Sequence, residues 1–149
     1  MNTQKPLTYL LGQTMQMVKL CFIAEFKKHD IELSLEQFII LHQLSQNENI
    51  TQQDLSNELQ KDKSIILRQI NTLLEKRYVV RLPDKEDKRK KNLILTQKGY
   101  DALTFSKSIA QTLSAELLQG VSTEELKNFE NVIEKIQRNT GHEPEQCKC

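Results

Sequence analysis

At 149 residues, with 38% hydrophobic and 28% charged side chains, the chain is long enough to bury a core and has the balance of an ordinary soluble domain. Four glycines and three prolines favour long helices over a sandwich or barrel, and no glycine-rich phosphate loop of the GxGxxG or GxxxxGKS/T kind occurs. The formal net charge of +1 hides an asymmetry: residues 61–98 hold 12 Lys and Arg against 5 Asp and Glu, a net +7, and the rest of the chain is net −6. A basic segment inside an acidic chain suggests a face for a polyanion, although a basic run is as often a solvated surface. No apolar run approaches the ~20 residues of a membrane span. The start, MNTQKPLTYLLGQ, lacks the basic and apolar regions of a signal peptide, so a cytoplasmic protein is expected. Three cysteines, two of them crowded near the end, do not make a disulfide framework.

In chain order, Leu7, Leu10, Leu11, Met17, Val18, Cys21 and Phe22 recur at helical spacing over residues 7–29. Their arc is broad, which predicts contact both with the core and with something beyond it. Ser34-Leu-Glu-Gln37 is a capping box opening a second helix with Phe38, Leu41 and Leu44 inward. Ile50 stands alone, fit for a minimal strand. Thr51-Gln-Gln-Asp54 starts a short helix carrying Leu55 and Leu59. Asp62 is the expected N-cap of the next, whose inner stripe is Ile66, Ile70 and Leu73. Two short helices joined by so tight a turn form a helix-turn-helix. Tyr78–Leu82 and Asn92–Leu95 read as the arms of a β-hairpin with a charged tip. Thr96 caps a long helix over 97–119, Gly120 punctuates it, and Ser122–Glu125 is a third capping box. The last helix carries Leu126, Phe129, Ile133 and Ile136 in an a/d spacing. The predicted fold class is mainly α with a small β-wing.

With Ile66, Ile70 and Leu73 inward, 100° per residue points Ser64 and Arg68 outward, flanked by Lys63, Ile65, Leu67, Asn71 and Thr72. That set suits a DNA major groove: Arg68 for guanine O6 and N7, Ser64 for a phosphate or base edge, Ile65 and Leu67 for thymine methyls. The competing reading of Ile65 and Leu67 is that they complete the core. In the hairpin tip, Lys85, Lys88, Arg89, Lys90 and Lys91 crowd into seven positions. They cannot be buried, and an Arg among them can enter a narrow minor groove. Asp87, two residues before Arg89, is placed to hold its guanidinium.

The run Asp62–Leu73, then Val79-Val-Arg81, Asp87-Lys-Arg89 and Leu95-Thr96-Gln-Lys-Gly99, with Ile50–Leu55 upstream, resembles the MarR family of bacterial transcription regulators. The resemblance covers about residues 50–99. It implies a winged helix-turn-helix with N- and C-terminal helices that pair in a two-fold dimer, a reading helix bearing Ser64 and Arg68, and a wing bearing Asp87 and Arg89. It also implies a small effector, often phenolic or otherwise apolar, bound between the DNA-reading and helical lobes. No residue identifies that effector. The expected partition is one domain, with a DNA-binding lobe at 33–98, a helical dimerisation lobe at 7–30 with 99–139, and a flexible tail at 140–149. Where the family usually has Gly after the reading helix, this chain has Arg77, which leaves open whether the turn is reshaped.

The expected function is sequence-specific double-stranded DNA binding by a homodimeric regulator, in the repressor sense, on a near-palindrome. Half-sites would lie about 10 bp apart or a multiple of that. Leu7, Leu10, Leu11, Leu126, Phe129, Ile133 and Ile136 are the nominated dimer contacts. The alternative is a helical protein-interaction dimer with a vestigial winged lobe. Cys21 lies on the apolar arc, where a buried thiol is usually inert. Cys147 and Cys149 with His142 are reasonable soft-metal ligands but sit in the tail without a partner cluster. His29 suits the end of its helix, His42 packing or a pocket. No nucleophile context or cofactor motif occurs, so neither an enzyme, a cofactor nor a metal is expected.

Overall fold

A computed structural model describes residues 5–141. Its elements are α1 (Leu7–Lys28), α2 (Leu35–Gln46), α3 (Gln52–Glu58), α4 (Lys63–Glu75), β1 (Val79–Pro83), β2 (Lys91–Leu95), α5 (Gln97–Leu117) and α6 (Thr123–Asn139). This is a mainly helical fold with one two-stranded antiparallel sheet. The chain forms two compact units, one ending at Leu113 and one beginning at Ser114.

The three capping boxes close as expected. The hydroxyls of Ser34, Thr51 and Ser122 accept from the amides of Gln37, Asp54 and Glu125, whose side chains accept in return. Each box satisfies two orphan amide donors at a helix start. Asp62 stands at the N-cap of α4, but its side chain makes no cap hydrogen bond. Its carboxylate is exposed and left to water.

In the first unit, one apolar cluster joins α2, α3, α4, both strands and the start of α5, with Ile40, Leu41, Leu55, Ile70, Leu73 and Val79 almost fully buried. The inward stripe of α4, Ile66, Ile70 and Leu73, is buried as its spacing predicts. α1 adds Phe26, edge-on to Phe38 of α2 at 5.7 Å. The rest of the arc of α1 stays outside: Leu7, Leu10 and Met17 are exposed, and Leu11 and Val18 are half-buried. Cys21 is also exposed. This corrects the expectation of a buried thiol, because the rings of Phe26 and Phe38, not the side of α1 bearing Cys21, make the packed face.

The sheet pairs Val79 with Leu95, Arg81 with Leu93 and Pro83 with Lys91. Ile50 does act as a minimal third strand, its carbonyl accepting from the Leu93 amide at 2.9 Å beside a Thr51–Asn92 bridge. Thr96 caps α5 by accepting from the Gly99 amide, and its hydroxyl also donates to the Arg77 carbonyl at 2.7 Å. A Cβ on Gly99 would lie 2.1 Å from the Tyr78 carbonyl oxygen. Glycine is therefore what lets α5 start against the sheet.

In the second unit, Gly120 (φ 81°) turns the chain into α6. α6 buries no residue: Leu126, Ile133 and Ile136 are half-buried, and Phe129 is 55% exposed.

Candidate nucleic-acid interface

α4 presents Lys63, Ser64, Ile65, Leu67, Arg68 and Asn71 to solvent. Ile65 and Leu67 are 39% and 40% exposed, so the core does not claim them. Thr72 is half-buried, and its hydroxyl donates back to the Arg68 carbonyl at 3.2 Å. It can offer a ligand only its acceptor side. Among the described residues, Arg68 makes no ion pair and its guanidinium is unspent.

The wing tip is organised by carboxylates, and not in the way its spacing suggested. Asp87 accepts from the backbone amide of Arg89 at 3.0 Å, not from its guanidinium. In this exposed turn the short Asp side chain reaches the nearer donor, the backbone amide two residues on. The larger role falls to Asp84. Its Oδ1 accepts from the amides of Glu86 and Asp87 at 2.9 and 3.0 Å, and its Oδ2 accepts from Asn92 Nδ2 at 2.8 Å. The Asp87 amide, Asn92 and the Glu86 amide hold the Asp84 carboxyl down to about 2. Lys85, Lys88, Arg89 and Lys91 are exposed and form no ion pair among the described residues. Lys90 is near enough to Asp54 and Asp84 to help lower both carboxyls.

Between α4 and the wing runs a cleft of about 620 Å³, lined by Thr51, Gln52, Gln53, Asp54, Leu67, Arg81, Lys90 and Lys91. It brings together Leu67, Lys90 and Lys91, which were expected to share a site. It adds Gln52, Gln53 and Arg81, which were not. Arg81 reaches across the cleft to donate to Gln52 Oε1 at 3.3 Å. No sequence signal marked Arg81: it shares the face of the buried Val79, and it is exposed because only the first residue of β1 is covered by the core.

Residues 33–91 match the family model described as MarR family. Over these residues the chain is similar to the MarR family. Over 124 residues it is 25% identical to the uncharacterized HTH-type transcriptional regulator YybA of Bacillus subtilis, covering 83% of this chain and 81% of that protein. The reduced form of MarR from E. coli superposes with a TM-score of 0.76 at 26% identity, covering 91% of this chain and 98% of that one. The S. aureus MepR–DNA complex superposes at 0.81 with 22% identity, covering 93% and 99%. These likenesses bear out the winged helix fold.

Where MarR-family chains usually carry Gly, Arg77 adopts φ 61°. The turn is not reshaped. Arg77 takes the left-handed backbone itself, and the Tyr78 amide reaches back to the Leu73 carbonyl at 2.9 Å as a helix-ending bond. The strain therefore sits in one residue. A second cavity of the MarR-like chain, about 390 Å³, opens between α1 and α2 and is lined by Phe22, Ile23, Phe26, Ile31, Leu33 and Leu35, with Lys19 and Lys27 at its edge. No group of three or more His, Cys, Asp or Glu among the described residues could hold a metal ion. His142, Cys147 and Cys149 lie outside the described residues. No helix among the described residues is long and apolar enough to cross a membrane.

Proposed function

We propose that this chain is a sequence-specific double-stranded DNA-binding regulator of the repressor type, acting as a homodimer. The observation that carries it is the shared frontage of α4 and the wing. Arg68 and Ser64, without side-chain partners among the described residues, project from a helix whose Leu67 faces Lys90 and Lys91 of the wing across one cleft. A helix of this diameter enters a major groove and can read base edges there. The wing cations serve phosphates or a minor groove. Residues 33–98 form the DNA-reading lobe in this reading, and 7–30 with 99–139 the dimer lobe. The apolar surface left open on α1 and α6 supports pairing with a second copy. The cavity between α1 and α2 supports a small apolar or phenolic effector.

Selection of duplexes from a random pool tests the proposal. The expected product is a near-palindrome, bound with an affinity that falls steeply with salt, the slope of log K being roughly −0.9 per neutralised phosphate. Recovery of no common sequence, with no salt-dependent binding, overturns it.

A further inference from the structure

Asn92 is a buried polar residue inside the wing, 3% exposed. Its Nδ2 donates to Asp84 Oδ2 at 2.8 Å and lies 3.4 Å from Asn49 Oδ1. The Asp84 carboxylate only accepts, so the amide cannot turn over without setting oxygen against oxygen there. Its Oδ1 is buried with no hydrogen-bond partner among the described residues. A buried acceptor left unpaired is destabilising and offsets part of what the Nδ2 hydrogen bonds contribute, so stability alone is a weak reason for Asn here. Asn92 touches two segments distant in sequence. Asn49 belongs to the turn before the helix-turn-helix and sits at φ 61°. Asp84 gathers the amides of the wing turn. The backbone repeats the link, with Leu93 bonded to Ile50 and Thr51 bridged to Asn92.

We propose that Asn92 is a positioning residue for DNA binding, its amide tying the wing turn through Asp84 to the Asn49 turn and so setting where the basic tip stands relative to α4. The inference rests on the proposed DNA-binding function. Asn92 touches no DNA itself. It acts through Arg89 and the neighbouring lysines, whose backbone the Asp84 turn shapes.

The test uses the full chain, the duplex recovered by selection, and the variants Asn92→Leu, Asp84→Ala and Arg89→Ala, singly and combined. Asn92→Leu keeps the branched shape and removes the unpaired acceptor but also the bond to Asp84, so a small fall in Tm with an unchanged circular-dichroism spectrum is expected. Asp84→Ala acts from the exposed side and spares the core. Amide exchange at Glu86 and Asp87 should quicken in both. Each should weaken duplex binding by about fivefold or more, and adding either to Arg89→Ala should cost little further, since contacting partners couple. The salt slope should flatten by ~0.9 for each phosphate the tip releases, and base preference should stay unchanged. Unaltered amide exchange in both variants overturns the inference whatever the duplex does. So do losses that simply add to that of Arg89→Ala. A wild-type chain that binds no duplex overturns the DNA-binding reading, and this inference with it, and that arm is read before any variant.

Discussion

Arg77 and Gly99 sit at opposite ends of one backbone problem. Arg77 holds φ 61° with an exposed side chain, so glycine there removes strain without removing a contact. Arg77→Gly should raise unfolding stability by about 1 kcal/mol, read as a higher urea midpoint at unchanged slope. Gly99 is the reverse. Alanine would drive a methyl into the Tyr78 carbonyl, and Gly99→Ala should destabilise by ~1–3 kcal/mol in the same assay. Asp84 gives a prediction in pH. Its carboxyl is held down to about 2 against an ordinary 3.8, so its contribution to the wing is complete above 3.8 and is lost as pH falls through about 2. A carbon-detected NMR titration should find that midpoint, and Asn92→Leu should move it up toward 3.8. The left-handed Arg77 was open to suspicion from a family pattern alone. Asn92 was hidden, because one partner, Asn49, lies 43 residues away and the Asp84 contact depends on the exact register of the hairpin. Asp87 was assigned to the wrong group of Arg89, since sequence distance does not distinguish a backbone amide from a guanidinium.

Among the elements, α4 was the most legible. Ile66, Ile70 and Leu73 establish its inner face, and geometry then places Ser64 and Arg68. The cleft was less so, because Gln52 comes from α3 and Arg81 from β1. α4 and the wing should fail differently when cut back. Arg68→Ala should cost ~1–3 kcal/mol of binding and relax preference at one position per half-site. Arg89→Ala should weaken all duplexes alike. Competition binding against single-base variants of the selected site separates the two, and identical specificity profiles would remove Arg68 from its reading role.

At the scale of the whole molecule, helix order and the apolar spacing of α6 were readable, but what covers α6 was not. A side chain half-buried in one chain has the same sequence signature as one buried between two. Its Ile133 and Ile136 are only half-buried, and Phe129 is 55% exposed. A charge placed in that seam should be borne by the isolated chain and resisted by a pair. Ile133→Asp should therefore leave helix content by circular dichroism intact and halve the mass in sedimentation equilibrium. A wild-type chain already monomeric at micromolar concentration removes the homodimer from the proposal.

The unpaired cations of the wing also bear on time. Lys85, Lys88, Arg89 and Lys91 stand on an exposed turn without ion-pair partners among the described residues, whereas Lys76 is turned to Glu32 and Lys98 to the Lys76 carbonyl and the Tyr78 ring. Exposed charges of this kind govern the arrival of a polyanion more than its residence. Under the proposed function the wing sets how fast a site is found and α4 how long it is kept, so the two halves of this interface separate in kinetics even where equilibrium binding merges them.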